Sequence, residues 1–127
     1  MIVLDASVLI AHLESTDAHN ERATQLLVDA AGEAFAASPL TLAEVLVGPA
    51  RVGRVNAARS ALRELAVATV PLAEDASTRL AIIRATTRLR LPDCCVLLAA
   101  ETAQASIATF DDRLATSAAD LGLEVRN

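Results

Sequence analysis

Short apolar runs and helix-like segments take turns along this 127-residue chain, and that alternation leaves few folds open. Ile2-Val3-Leu4 is an all-apolar run of the kind found in the middle of a parallel sheet. A helix is expected over about Ala6 to Glu14. A second is expected over His19 to about Ala31, with Ala23, Leu26, Leu27 and Ala30 on one face and Gly32 as its stop. Glu33 to Ala37 reads as a weak strand. Ser38-Pro39 reads as the cap and first turn of a helix running to about Gly48-Pro49. Further helices are expected over Val52 to Leu65, Asp75 to Leu89, Asp93 to Ala105 after a break at Pro92, and Arg113 to Leu121. Val67 to Val70, Ser106 to Phe110 and Leu123 to Arg126 read as strands. The pattern implies an α/β/α sandwich around a mainly parallel sheet, with its ligand crevice beyond the carboxyl ends of the strands.

A chain of this length predicts one domain, residues 1–127, able to bury a core without a disulfide staple. Apolar residues make up 54% of it, which excludes disorder, yet aromatics are only 2%, so the core is built from Ala, Leu, Val and Ile. Cys94 and Cys95 are adjacent on a helix and point apart, so they read as small core residues rather than a bridge or zinc site. There is no Lys, which disfavours a P-loop, a Schiff-base enzyme and a receiver domain. With no basic leader at the start and no apolar stretch long enough to cross a bilayer, no membrane association and a cytoplasmic location are expected. His12 and His19 stand apart from the acidic positions described next and read as structural.

Four carboxylates occupy informative places. Asp5 ends the first strand, Glu44 interrupts the apolar stretch Leu40 to Val47, Asp93 precedes the apolar helix Cys94 to Ala100, and Asp111 closes the strand ending at Phe110. Taken singly, Asp5, Asp93 and Asp111 could each be a helix cap, and Glu44 a solvent-facing residue. Taken together, Asp5 and Asp111 share the carboxyl rim of the sheet, and Glu44 and Asp93 could face it. Several carboxylates in one pocket cannot all stay ionised without a counter-charge. A divalent cation with all-oxygen ligands, Mg²⁺ or Mn²⁺, answers that need, and Arg113 is a competing salt-bridge partner. Net charge is −5, which argues against nonspecific nucleic-acid binding. Even so, Arg51, Arg54, Arg59 and Arg63, and again Arg79, Arg84, Arg88 and Arg90, form acid-free segments that suit either an anionic backbone or a solvated helix face.

These motifs resemble the PIN-domain ribonucleases, and within them the VapC-type toxins. Ile2 to Ile10 is similar to the family's first motif, a strand ending in Asp with Ser two residues on. Ser38 to Val45 resembles the second, which supplies a helical Glu. Leu91-Pro92-Asp93 through Ala100 matches the third, and Thr109-Phe110-Asp111-Asp112-Arg113-Leu114 the fourth. The resemblance implies Mg²⁺-dependent hydrolysis of RNA phosphodiesters, with tRNA or rRNA as substrate. Asp5, Glu44, Asp93 and Asp111 would hold the metal, Ser7 and Thr109 would orient carboxylates or waters, and Asp112 would be an auxiliary acid or plain cap. It also implies a VapB-like antitoxin and a homodimer. Leu46, Val47, Val52 and Val55 lie on segments that would line an antitoxin groove or else belong to the core. Two rivals are a catalytically silent PIN module that binds RNA or protein, and a haloacid-type phosphatase. The latter needs Asp-x-Asp where this chain has Asp5-Ala6-Ser7.

Overall fold

The computed structural model describes all of residues Met1–Asn127. In chain order the elements are β1 (Ile2–Leu4), α1 (Ala6–Leu13), α2 (Asn20–Asp29), β2 (Phe35–Ala37), α3 (Pro39–Arg51), α4 (Val55–Glu64), β3 (Ala68–Thr69), α5 (Ala76–Thr87), α6 (Leu91–Ala103), β4 (Ser106–Ala108), α7 (Asp112–Asp120) and β5 (Val125–Arg126). The five strands lie in the order β3-β2-β1-β4-β5 and every pair is parallel, so the sheet is wholly rather than mainly parallel. The chain winds outward from β1 to β2 and β3, then crosses to β4 and β5. The order therefore reverses between β1 and β4, and the carboxyl ends of those two strands flank the crevice where such sheets hold ligands.

Strand alternation distributes the core. Ile2 and Leu4 project into one layer with α1, α2, Val45 of α3 and Leu62 of α4, while Val3 projects into the other with α5, α6 and α7. Seven consecutive residues of α6, Cys94 to Ala100, are buried, which confirms the two cysteines as core residues. Full burial of side chains such as Leu97, Ile107 and Leu114 stabilises the fold by roughly 1.5–3 kcal/mol each. The edge strands β3 and β5 are only two residues long, which limits the unpaired edge each offers to another chain.

Several boundaries differ from the sequence reading: the strands expected at Val67 to Val70 and Ser106 to Phe110 shorten to Ala68–Thr69 and Ser106–Ala108, and the helix ends shift at four places. Helix α3 does not stop at Gly48-Pro49 but runs through Pro49 to Arg51. A proline ring crowds both the N–H and the Cβ of the preceding residue, and Gly48, having no Cβ, relieves part of that clash. The break falls instead at Gly53, whose φ of +71° only glycine adopts freely, so α4 starts at Val55 rather than Val52. Gly32 is not the stop of α2, which ends at Asp29; Gly32 lies in the following turn without a left-handed φ. Pro92 does not interrupt the chain before α6. It sits in the first turn, where the missing N–H has no intrahelical partner to lose, and Arg90 is the N-cap residue.

Candidate active site

Asp5 leaves β1 at the crevice. Its backbone N–H donates to the Ala108 carbonyl at 2.9 Å, carrying the β1–β4 ladder one step past the strand ends. Its side chain is 6% exposed and fully engaged. Oδ1 accepts from the Ala6 N–H at 2.8 Å, so Asp5 does cap α1. Oδ2 accepts from Ser7 Oγ at 2.6 Å and from Thr109 Oγ1 at 2.8 Å. Those hydroxyls in turn accept from the far side of the crevice: Ser7 Oγ from the Phe110 N–H and Thr109 Oγ1 from the Asp111 N–H, both at 3.0 Å. A buried carboxylate and two hydroxyls thus lock the β1–α1 step to the β4–α7 step. Ser7 and Thr109 are the residues that fix the Asp5 carboxylate in place.

Asp111 is the N-cap of α7. Its Oδ1 accepts from the Arg113 and Leu114 N–H groups at 2.9 and 3.0 Å. Asp112 is therefore the first residue of the helix and not its cap; it is exposed.

Glu44 and Asp93 differ from this pair. Asp93 sits in the first turn of α6, half-buried, and caps nothing; its one partner is Arg90, Nε to Oδ2 at 3.8 Å. Glu44 lies in the middle of α3, which packs on α1 and α6. Both carboxyls are pushed above the usual carboxylate range. For Glu44 the causes are burial first, then the charges of Asp5 and Asp93, opposed by Arg90. For Asp93 they are burial, then Asp5, with Asp111 adding and Arg90 and Arg113 opposing. Electrostatically the four acids share one region. Sterically they are not a cage: no group of three or more His, Cys, Asp or Glu residues is set to close around an ion.

That arrangement fits a hydrated hard cation better than a zinc-like one. Mg²⁺ keeps several waters and is commonly bound through one or two carboxylates together with phosphate oxygens, and every donor here is oxygen. The raised acids also lack adequate neutralisation, because Arg90 is three-quarters exposed and its contact long. Arg113, expected as a competing partner, forms no ion pair with Asp111; it donates only its backbone N–H.

Of the eight arginines in the two acid-free segments, Arg90 is the one whose charge Glu44 and Asp93 feel. Others serve the fold: Arg63 donates to Ser60, Arg79 pairs with Glu101 and Arg84 donates to the Leu89 carbonyl. The Arg90–Asp93 pair was readable as an i, i+3 spacing on one helix, once the helix is known to start before Pro92. His12 bonds Thr24 at 3.0 Å, away from the acids as expected, whereas His19, expected to stand apart from them, packs on Phe110, the residue before Asp111. Of the four expected groove residues, Val52 lines an open apolar groove of ≈ 470 Å³ between the ends of α1, α3 and α4, beside Ile10, Leu13 and Val45. Leu46 packs partly against the core, Val47 is exposed and Val55 is half-buried. No helix is long and apolar enough to cross a membrane.

The fold and crevice define a three-layer α/β/α protein with an acidic site at the point where strand order reverses. The PIN domain family model matches residues 2–119, and the chain belongs to that family. Solved structures share the fold. FitAcB from Neisseria gonorrhoeae superposes with a TM-score of 0.75 at 23% identity, covering 100% of this chain and 97% of that one. A toxin–antitoxin complex from Klebsiella pneumoniae gives 0.74 at 23% identity, covering 87% of each chain. VapC20 from Mycobacterium tuberculosis, a toxin that cleaves the sarcin–ricin loop, gives 0.74 at 17% identity, covering 92% and 95%. No match is found among curated proteins.

Proposed function

We propose that the chain, as one PIN domain over residues 1–127, is a divalent-metal-dependent endoribonuclease of the VapC type, acting in the cytoplasm and neutralised by a VapB-like antitoxin. The observation that carries this reading is the under-neutralised quartet. Asp5 is oriented by a hydrogen bond across the switch point and Asp111 by the N–H groups of its own helix, and Glu44 and Asp93 arrive from two helices with raised pKa values and one weak guanidinium between them. Asp5, Glu44, Asp93 and Asp111 would hold Mg²⁺ or Mn²⁺, directly or through water. When bound, the cation supplies Lewis-acid activation of water and neutralises charge on the phosphoryl group. The residues of the chain do the positioning. Ser7 and Thr109 hold the Asp5 carboxylate in one orientation, and the α7 N-cap holds that of Asp111. Mycobacterium tuberculosis VapC20, described as cleaving the sarcin–ricin loop, supports structured RNA, tRNA or rRNA, as substrate class.

The toxin–antitoxin neighbours and the apolar groove at Ile10, Leu13 and Val52 support an antitoxin partner. A homodimer belongs to the same reading; a monomeric particle in light scattering at micromolar concentration would count against it. The test of the activity is cleavage of tRNA and rRNA by the antitoxin-free chain with Mg²⁺ or Mn²⁺, with EDTA as control. Cleavage should require the cation and be lost in Asp93→Asn, whereas undiminished cutting by that variant would sink the assignment.

The lack of a ready-made cage favours one alternative, a silent PIN module that binds RNA or protein without cutting. Calorimetry separates the two: no heat on titrating Mg²⁺ or Mn²⁺ into the free chain supports the silent module.

A further inference from the structure

We infer that Phe110, Arg22 and His19 form a platform for one unpaired RNA base and its adjoining phosphate at the lip of the acidic crevice. For the identity of the strand, the inference rests on the nuclease reading above. Phe110 stands between Thr109 and Asp111, and its backbone N–H is pinned by Ser7 Oγ at 3.0 Å. The ring therefore belongs to the residue next to Asp111, and that residue's N–H reaches Asp5 through the Ser7 hydroxyl. The chain has two Phe and no Trp or Tyr, and the other, Phe35, is buried in the core. The single partly open benzyl ring of the protein thus lies on the rim of its site.

Two exposed side chains from the start of α2 complete the group. The Arg22 guanidinium stands 4.6 Å from the Phe110 centroid, and the His19 ring lies 5.4 Å away at 44°. Arg22 takes part in none of the ion pairs of the chain. A guanidinium held over a ring keeps its N–H groups for a phosphate and an outer face for a base. Unpaired bases are bound by stacking on aromatic, His and guanidinium planes, with cationic groups following the backbone. At a net charge of −5, a strand approaching four carboxylates needs such a contact close to the chemistry. Arg90 has Asp93 as a neighbour at 3.8 Å, whereas Arg22 has no acid partner.

The test is anisotropy of a fluorescein-labelled single-stranded RNA of about 12 nucleotides. A strand of the same length with abasic sites serves as comparison, and the full chain is used free of antitoxin and in EDTA. Arg22→Lys keeps the charge and removes the plane; Phe110→Leu keeps apolar volume and removes the ring. Each should weaken binding of the base-bearing strand roughly tenfold and leave the abasic strand unaffected. Arg22→Gln should also flatten the dependence of log K on log salt by about 0.7. Melting temperatures identify a variant that fails to fold, and Arg22→Lys, at an exposed position, then decides alone.

Unchanged affinity in Arg22→Lys, equal losses on both strands, or no RNA binding by the wild type overturns the platform. A cleavage assay with Mg²⁺ keeps the two readings apart. Variants that bind and cut like the wild type sink the platform and spare the nuclease. Platform-dependent binding without cleavage sinks the nuclease and sustains the platform.

Discussion

The two carboxylates at strand ends and the two on helix flanks look alike in sequence and behave differently in the fold. Asp5 and Asp111 accept backbone N–H groups at helix starts, and Asp5 also holds two hydroxyls. Glu44 and Asp93 accept no hydrogen bond in the fold beyond the long contact with Arg90, and burial beside other acids raises both. The first pair does structural service as well as facing the site. The ionised form of the second pair is disfavoured in the fold by burial and by the neighbouring acids. Under the proposed function that cost has a chemical reason, since the two acids are kept for a cation.

The largest expected effect is at Asp93. Asp93→Asn should lower RNA cleavage by roughly 10³-fold, the scale of losing one electrostatic contact made in the transition state. The same variant should melt higher than the wild type at pH 7 in EDTA. The sign follows from the raised pKa: between its unfolded and folded values the native state holds the extra proton, so stability falls as pH rises through that window. The melting difference should shrink as pH falls below the carboxylate range. Glu44→Gln should behave alike, for the same reason. A lower melting temperature for either would erase the contrast between the pairs.

Asp5→Ala probes the other side of the comparison. It removes a cap and strands the Ser7 and Thr109 hydroxyls, so denaturant unfolding should show a loss of about 2–3 kcal/mol. Thr109→Val is milder. It deletes one donor to Asp5 and the acceptor of the Asp111 N–H, for about 1 kcal/mol of stability and a 10- to 100-fold loss of cleavage by rough analogy with residues that orient metal ligands. The smallest effect belongs to Arg90→Gln. Its contact is long and exposed, so stability should change by less than about 0.5 kcal/mol. A large loss there would mean that Asp93 is held as an ion pair and not kept open for a cation.

Much of the fold was legible because its signals are local. Apolar runs bounded by acids or by Ser-Pro marked β1, β4 and the start of α3, and the strand–helix alternation required a parallel sheet. Boundaries failed where two neighbours act together. Gly48 relieves Pro49, and Pro92 is harmless in a first turn, neither of which a residue-by-residue reading of helix breakers anticipates. Of the candidate site, the placement of Asp5 and Asp111 on one rim followed from strand ends, and Ser7 and Thr109 were legible as neighbours able to orient a carboxylate. The partnership of Arg90 with Asp93 was missed, as was the Phe110 group, because it joins residues some ninety positions apart.

The sequence by itself determined which residues could carry chemistry and on which elements they ride, because hydrophobic period, capping and chain breaks are short-range effects. Only the tertiary structure decided which acids are satisfied and which are strained. Hydrogen-bond partners and desolvation depend on what the other segments bring to within a few ångströms. Thr109 is 104 positions from the Asp5 oxygen it binds, and no local rule spans that gap.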